Sequence, residues 1–150
     1  MRQTAIDAGY ADQRIHVVLN GLDLADWDLP PDSAGVRQEF AIAADAPFFL
    51  AVSRLFRWKG HEALLRAFAL ALPRMPEARL LIVGADDITA GGGMTSYRAE
   101  LEALTGHLGI ARQVVFAGER ADVARLMAAA DIFALPSFEE PFGMVFLEAM

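Results

Sequence analysis

The 150-residue sequence contains no cysteine, so a disulfide framework and a thiolate metal site are both excluded. Histidine is also scarce, with three copies scattered along the chain. No apolar run reaches the roughly 18 residues that span a bilayer, and the N-terminus lacks the apolar segment of a signal peptide. We therefore expect a soluble, cytoplasmic protein, with peripheral membrane contact left open.

Basic residues are outnumbered: thirteen Lys and Arg stand against twenty Asp and Glu, for a formal net charge of -7. This balance argues against a broad basic surface for nucleic acid, so any anion must be held locally. The chain is 55% hydrophobic, with a mean hydropathy of +0.31, which is too apolar for a disordered segment. One domain, or part of one, is expected.

From residue 47 onward, short apolar runs alternate with helical patterns. The predicted strands and helices are, in chain order, 48–52, 61–72 (helix), 79–83, 97–108 (helix), 114–116, 122–130 (helix) and 132–135. Near-continuous apolar strands separated by helices indicate a parallel sheet covered on both faces. The predicted fold class is thus α/β, with a Rossmann-like sheet whose loops at the carboxyl ends of strands carry the chemistry.

The N-terminal part is less regular. Residues 15–19 are apolar, rich in β-branched side chains and closed by Asn20-Gly21, which predicts a strand and a turn. Residues 22–32 are typical of a linker, and a short helix capped by Asp32 or Ser33 should follow. A polar stretch around 91–93, with three consecutive glycines, is interpreted as a flexible insertion.

A loop with three cations follows the strand that ends at Val52. In it, Arg54 and Lys59 are placed to supply positive charge and hydrogen-bond donors to a diphosphate, whereas Arg57 is expected to point to water. A solvated basic loop is the equally weighted alternative.

The last stretch places two carboxylates around a predicted helix start. Glu140 precedes it, and Glu148 is the only charged residue from 144 to 150. A lone carboxylate is costly when buried without a partner, so Glu148 should face either solvent or a polar ligand. Backbone N–H groups at the helix start are free to hold phosphate or sugar oxygens. Two further strand ends, 83–87 and 116–120, are weaker candidates, of which the second could form a wall for a nucleotide base.

Several motifs occur here in an order and spacing that resemble one family. They are Asn20-Gly21-Leu22-Asp23, Ser53-Arg54-Leu55 with Lys59-Gly60-His61, Leu81-Ile82-Val83-Gly84, Asp131-Ile132-Phe133-Ala134-Leu135-Pro136-Ser137 and Glu140-Pro141-Phe142-Gly143 with Glu148-Ala149-Met150. Together they are similar to the retaining, nucleotide-sugar-dependent glycosyltransferases of the GT-B fold (group 1, or family 4, type). That family's pattern includes two glutamates separated by seven residues.

The resemblance implies two Rossmann-like domains that face each other across a cleft, with the donor held mainly by the C-terminal one. It implies that 1–19 end the acceptor domain, that 20–46 form the linker and the start of the donor domain, and that 47–150 are a donor domain truncated at its C-terminus. We therefore expect a fragment that is inactive alone. One departure from the family is Asp86, where many members have a second glycine.

The resemblance also implies a role for each matching residue. Arg54 and Lys59 would bind the donor diphosphate, and Glu148 the ribose hydroxyls. Glu140 would be the catalytic residue, contacting the transferred sugar near its anomeric centre, as a positioning group more than a nucleophile. The remaining contacts would come from the backbone amides of Phe142, Gly143 and Met144.

The expected partners are a nucleoside diphosphate sugar and an acceptor glycan, lipid or small molecule, with peripheral membrane contact through the other domain. Neither a metal nor a cofactor is expected, because cationic groups can stabilise the leaving diphosphate. Two alternatives stay open from sequence: a GT-B-like sugar-nucleotide epimerase, and a non-catalytic segment that at most binds nucleotide.

Overall fold

The computed structural model describes residues 2–27, 30–86, 96–140 and 142–150. Its regular elements are α1 (Arg2–Asp7), α2 (Ser33–Glu39), β1 (Phe48–Val52), α3 (His61–Ala71), β2 (Arg79–Val83), α4 (Tyr97–His107), β3 (Val114–Gly118), α5 (Val123–Ala129), β4 (Ile132–Phe133) and α6 (Met144–Glu148). Short 3-10 turns lie between some of them. None of the described helices is both long and apolar enough to cross a membrane.

The four strands form one parallel sheet in the order β3-β2-β1-β4. Each connection between neighbouring parallel strands passes through a helix, because a parallel pair cannot be joined by a tight turn. The predicted α/β class is confirmed. β1 is a central strand, so its carboxyl end at Val52 opens between two neighbouring strands.

Both faces of the sheet are covered, and side chains alternate between them along each strand. On β2, Leu80 and Ile82 pack into the apolar cluster formed with α3 and α4. Leu81 and Val83 point the other way, into the cluster formed with α2 and α5. All four side chains are almost fully buried, which explains why this strand is a continuous apolar run in the sequence.

Side-chain caps fix where two of the helices begin. The Asp32 carboxylate accepts a hydrogen bond from the Gly35 amide at 3.1 Å, ahead of α2. The Ser96 hydroxyl accepts one from the Ala99 amide at 3.2 Å, ahead of α4. Each cap satisfies an amide that has no acceptor within its own helix.

The strand predicted at residues 15–19 is wrong. This segment pairs with none of the four strands in the described structure, and Val17, Val18 and Leu19 are 64%, 87% and 84% exposed. A strand needs a neighbour for its backbone groups, and local β-propensity cannot supply one. The glycines at 91–93 lie outside the described residues.

Candidate functional site

A cavity of about 720 Å³ opens at the carboxyl end of β1, between the loop that follows this strand and the start of α6. Its position is the one at which parallel α/β sheets bind ligands. It brings together the residues to which sequence analysis gave a role in binding or catalysis, which are Arg54, Lys59, Glu140, Phe142, Gly143, Met144 and Glu148. Its lining consists of Val52, Ser53, Arg54, Phe56, Trp58, Lys59, Glu140, Phe142, Gly143, Met144, Val145 and Glu148.

The loop after β1 reaches α3 through a tight 3-10 turn over Arg57–Lys59. Gly60 ends this turn with a φ of 75°, a conformation that side-chain-bearing residues rarely adopt. A Cβ at Gly60 would lie 2.0 Å from the Pro136 carbonyl oxygen, so only glycine fits. The Phe138 amide also donates to the Trp58 carbonyl oxygen at 2.8 Å. These contacts hold the cationic loop against the segment that carries Glu140.

Lys59 and Glu140 form an ion pair across the cavity, with Nζ 2.5 Å from Oε2. The two side chains are only 13% and 21% exposed, so this pair is partly removed from water. Water screens the attraction in such a pair less than it does at the surface, and removing one partner leaves a poorly solvated charge. The lysine ammonium also lies 4.2 Å from the centroid of the Trp58 ring.

The two arginines of this loop differ in their surroundings. Arg54 is exposed at the cavity and has no ion-pair partner among the described residues. Arg57 turns away from the cavity: it bonds to Glu100 at 2.6 Å and covers the Tyr97 ring at 4.8 Å. The expectation that Arg57 points to water is met in part, because its side chain is 57% exposed.

The helix start predicted in the 140s is α6, which begins at Met144 after Gly143. Gly143 has a φ of 78°, and a Cβ there would lie 2.7 Å from the Phe146 ring. The helix packs on the sheet through Phe146, whose ring meets Phe133 edge to face at 5.6 Å. As in any helix, the first backbone N–H groups have no acceptor within the helix. Phe142, Gly143 and Met144 line the cavity at this point.

Glu148, one turn further along α6, is half-buried and lines the same cavity. Burial raises the pKa of its carboxyl group above the usual range. It makes no hydrogen bond or ion pair within the described part of the chain. Glu148 thus lies in the wall of the cavity without full access to water, and the polar ligand expected for it stays a prediction.

His61 is a residue of this region that sequence analysis did not single out. It is fully buried at the start of α3, and its Nε2 lies 3.1 Å from the Ser53 hydroxyl oxygen. Burial is the main reason that its pKa falls to about 4, and the Lys59 charge adds to this effect. The nearby Phe56 backbone raises the pKa and so acts against this fall. The ring's Nδ1 atom has no hydrogen-bond partner within the described ranges. The neutral, buried His61 ring thus contacts the loop after β1 through Ser53.

This depressed pKa predicts a pH-dependent stability. His61 stays neutral in the folded state down to about pH 4, whereas in the unfolded state it takes up a proton near its usual pKa of 6.5. As the pH falls between these limits, the free energy of unfolding should therefore lose about 1.4 kcal/mol for each pH unit on account of this residue. Denaturation curves at several pH values should show a shallower decline for His61→Gln. The exposed His16 provides the control, since His16→Gln should keep the parent slope; equal slopes in both variants would contradict the assignment.

The described residues of the two weaker strand ends do not line the cavity. Asp86 accepts hydrogen bonds from the Ser96 hydroxyl and, at 3.3 Å, from the Arg98 amide, so it anchors the start of α4. Arg120 pairs with Glu39 and Asp122, each at 2.8 Å. Residues 116–120 therefore lie outside this cavity, and their role as a wall for a nucleotide base stays a prediction. Within the described ranges, no three acidic or histidine side chains gather closely enough to hold a metal ion.

Comparison with known proteins relates this geometry to a family. The family model of glycosyl transferases group 1 matches residues 32–150. D-inositol 3-phosphate glycosyltransferase of Mycobacteroides abscessus is 39% identical over 138 residues, which is 91% of this chain and 29% of that protein. An uncharacterised glycosyltransferase of Methanocaldococcus jannaschii is 33% identical over 144 residues, or 93% of this chain and 34% of that protein. The chain thus spans about a third of the length of these curated relatives.

Among solved structures, Anabaena HepE in complex with UDP and glucose superposes with a TM-score of 0.82 and 33% identity. The superposition covers 99% of this chain and 39% of HepE. The matched fold is the Rossmann-like one of the C-terminal domain of GT-B glycosyltransferases. With a family match over residues 32–150 and a fold that superposes on the solved HepE structure at 33% identity, this chain belongs to the glycosyl transferases of group 1.

Proposed function

We propose that the complete protein transfers a sugar from a nucleoside diphosphate sugar to an acceptor hydroxyl with retention of anomeric configuration. The observation that carries this proposal is a single cavity lined by two cations and two carboxylates beside a helix start. Cations and amides suit phosphate oxygens, while carboxylates accept hydrogen bonds from hydroxyls. A sugar joined to a nucleoside diphosphate presents both kinds of group. The similarity to HepE, a complex with UDP and glucose, supports the same donor class.

Arg54 and Lys59 would hold the diphosphate. Its negative charge grows as the sugar leaves, and fixed positive charge at that position stabilises the transition state more than the bound donor. The amides of Phe142, Gly143 and Met144 would add hydrogen bonds to the sugar and phosphate oxygens. Because these groups already supply positive charge to the leaving group, we infer that this step needs no metal ion.

The two glutamates would hold opposite ends of the donor. Glu148 is half-buried with no partner in the described structure, so ribose hydroxyls would relieve an unfavourable burial. Glu140 would contact the sugar near its anomeric carbon once the donor's phosphates occupy Lys59. We assign it a positioning role at the reacting centre more than that of a nucleophile. The acceptor would be bound largely by parts of the protein outside this chain.

Product analysis with the complete protein tests this proposal. Purified protein should be incubated with UDP-, GDP- and ADP-sugars and a panel of glycan, lipid and small-molecule acceptors. NMR of the product should show the anomeric configuration of the donor. A product of opposite configuration would disprove retention. An altered free sugar formed without any acceptor would instead support the epimerase.

A further inference from the structure

Trp58 stands at the mouth of the donor cavity, beside the lysine that we assign to the diphosphate. Its side chain is 40% exposed and stacks on Phe56, with ring centroids 5.7 Å apart and an interplanar angle of 12°. The Lys59 ammonium lies over the same indole, 4.2 Å from its centroid. This distance is well inside the range at which a cation is attracted to an aromatic face.

Lys59 therefore has two partners of different kinds. The Glu140 carboxylate holds it by charge at 2.5 Å, and the indole holds it through the ring quadrupole. A diphosphate competes for the ammonium with the carboxylate, since both are anions. It does not replace the indole in the same way, because the ring carries no charge and holds the cation through its aromatic face. When the phosphates replace Glu140, the contact with Trp58 can persist.

We propose that Trp58 is a positioning residue of the donor site. It holds the Lys59 ammonium at the cavity while this lysine exchanges the Glu140 carboxylate for the donor's diphosphate. The proposal rests on the function proposed above, because it assumes that Lys59 meets a diphosphate. It adds that Trp58, the residue before the lysine, affects the affinity for the diphosphate without contacting the diphosphate itself.

A merely structural role for the indole has less support. The shape of the turn is fixed by backbone hydrogen bonds, from the Lys59 amide to the Phe56 carbonyl at 3.0 Å and from the Phe138 amide to the Trp58 carbonyl at 2.8 Å. Neither bond involves the indole. Removal of the ring should therefore leave the turn in place and affect the two side chains that lie on the ring, Phe56 and the lysine.

The test is a calorimetric titration of the complete protein with UDP, GDP and ADP, continued with the tightest binder. Trp58→Leu should weaken binding about fivefold to tenfold, because a lysine no longer held by the ring gives up side-chain freedom when it binds the diphosphate. Trp58→Phe keeps an aromatic face, so its nucleotide affinity should stay within about threefold of the parent value. Phe138 is an exposed neighbour that does not line the cavity, so Phe138→Leu is the matched control and should bind like the parent.

A double-mutant cycle identifies the route of the effect. In a Lys59→Gln background, Trp58→Leu should cause no further loss of affinity, because the cation on which it acts is gone. An equal loss in both backgrounds, or no loss in the parent, would overturn the role of Trp58 while leaving the donor site intact. If the parent protein binds none of the three nucleotides, the proposed function itself fails, and that result is distinct from either of these.

Discussion

Charge reversal at Lys59 should weaken nucleoside diphosphate binding by at least about 100-fold, well beyond the value of an exposed ion pair. In Lys59→Glu, a carboxylate replaces the cation that faces the diphosphate, so attraction becomes repulsion. It also sets two carboxylates against each other, since Glu140 lies 2.5 Å from the present ammonium. The side chains are only 13% and 21% exposed, so water screens this repulsion poorly. Titration calorimetry on the complete protein measures the effect.

Arg57 provides the matched control, two positions earlier in the same turn. Arg57→Glu makes the same change of charge, but its present partner is Glu100 on α4 and its side chain is 57% exposed. Its affinity should stay within about fivefold of the parent. Lys59→Gln removes the cation without adding repulsion, so it covers the case in which the reversed variant fails to fold. Unchanged affinity in Lys59→Gln would exclude Lys59 from the site.

Replacement of Glu140 by Gln should separate turnover from binding. We expect kcat to fall by about 100-fold, the usual scale for loss of one group aimed at a developing charge. Nucleoside diphosphate affinity should be unchanged or tighter, because the neutral amide of the Glu140→Gln variant would no longer compete as an anion for Lys59. Steady-state kinetics and calorimetry on one preparation give both quantities.

The adjacent glutamate is the control for this second prediction. Glu139 is exposed and does not line the cavity, so Glu139→Gln removes one negative charge from the same segment without touching the ion pair. It should leave kcat and affinity close to the parent values. Equal losses of turnover and affinity in Glu140→Gln would mean that Glu140 contributes only uniform binding, and would contradict a role at the reacting centre.

The central strands and helices could be predicted because their buried positions give a local pattern of apolar residues in the sequence. β1 and β2 have the predicted bounds, and α3 and α4 each end one residue earlier than predicted. Strands buried on both faces must be apolar throughout, which makes them visible without any knowledge of their neighbours. The opposite case is the segment 15–19, whose composition suits a strand but whose partner is not in the described sheet. Local pattern indicates propensity, and pairing is a property of the whole fold.

The site could be predicted only residue by residue. The loop after a strand end indicated Arg54 and Lys59, a predicted helix start indicated Glu140, and all three line one cavity. The contact between Lys59 and Glu140 spans 81 positions, and no periodicity encodes a distance of that kind. No pattern in the chain indicated that Trp58 carries the lysine, or that His61 is buried beneath the loop. Such contacts depend on how two loops meet at the sheet edge, which is settled by tertiary packing.

Gly60 has a consequence for how mutational data on this protein should be interpreted. It does not line the cavity, yet the Pro136 carbonyl oxygen occupies the space that any side chain there would need. A larger residue would push the turn that carries Lys59 away from the segment that carries Glu140, and the cavity between them would become wider. In a saturation scan scored by activity, this position should therefore look as intolerant as a ligand-contacting residue. Its sensitivity would come from the close contact between the two segments that form the cavity. Such a scan would therefore be no reason to assign Gly60 a chemical role.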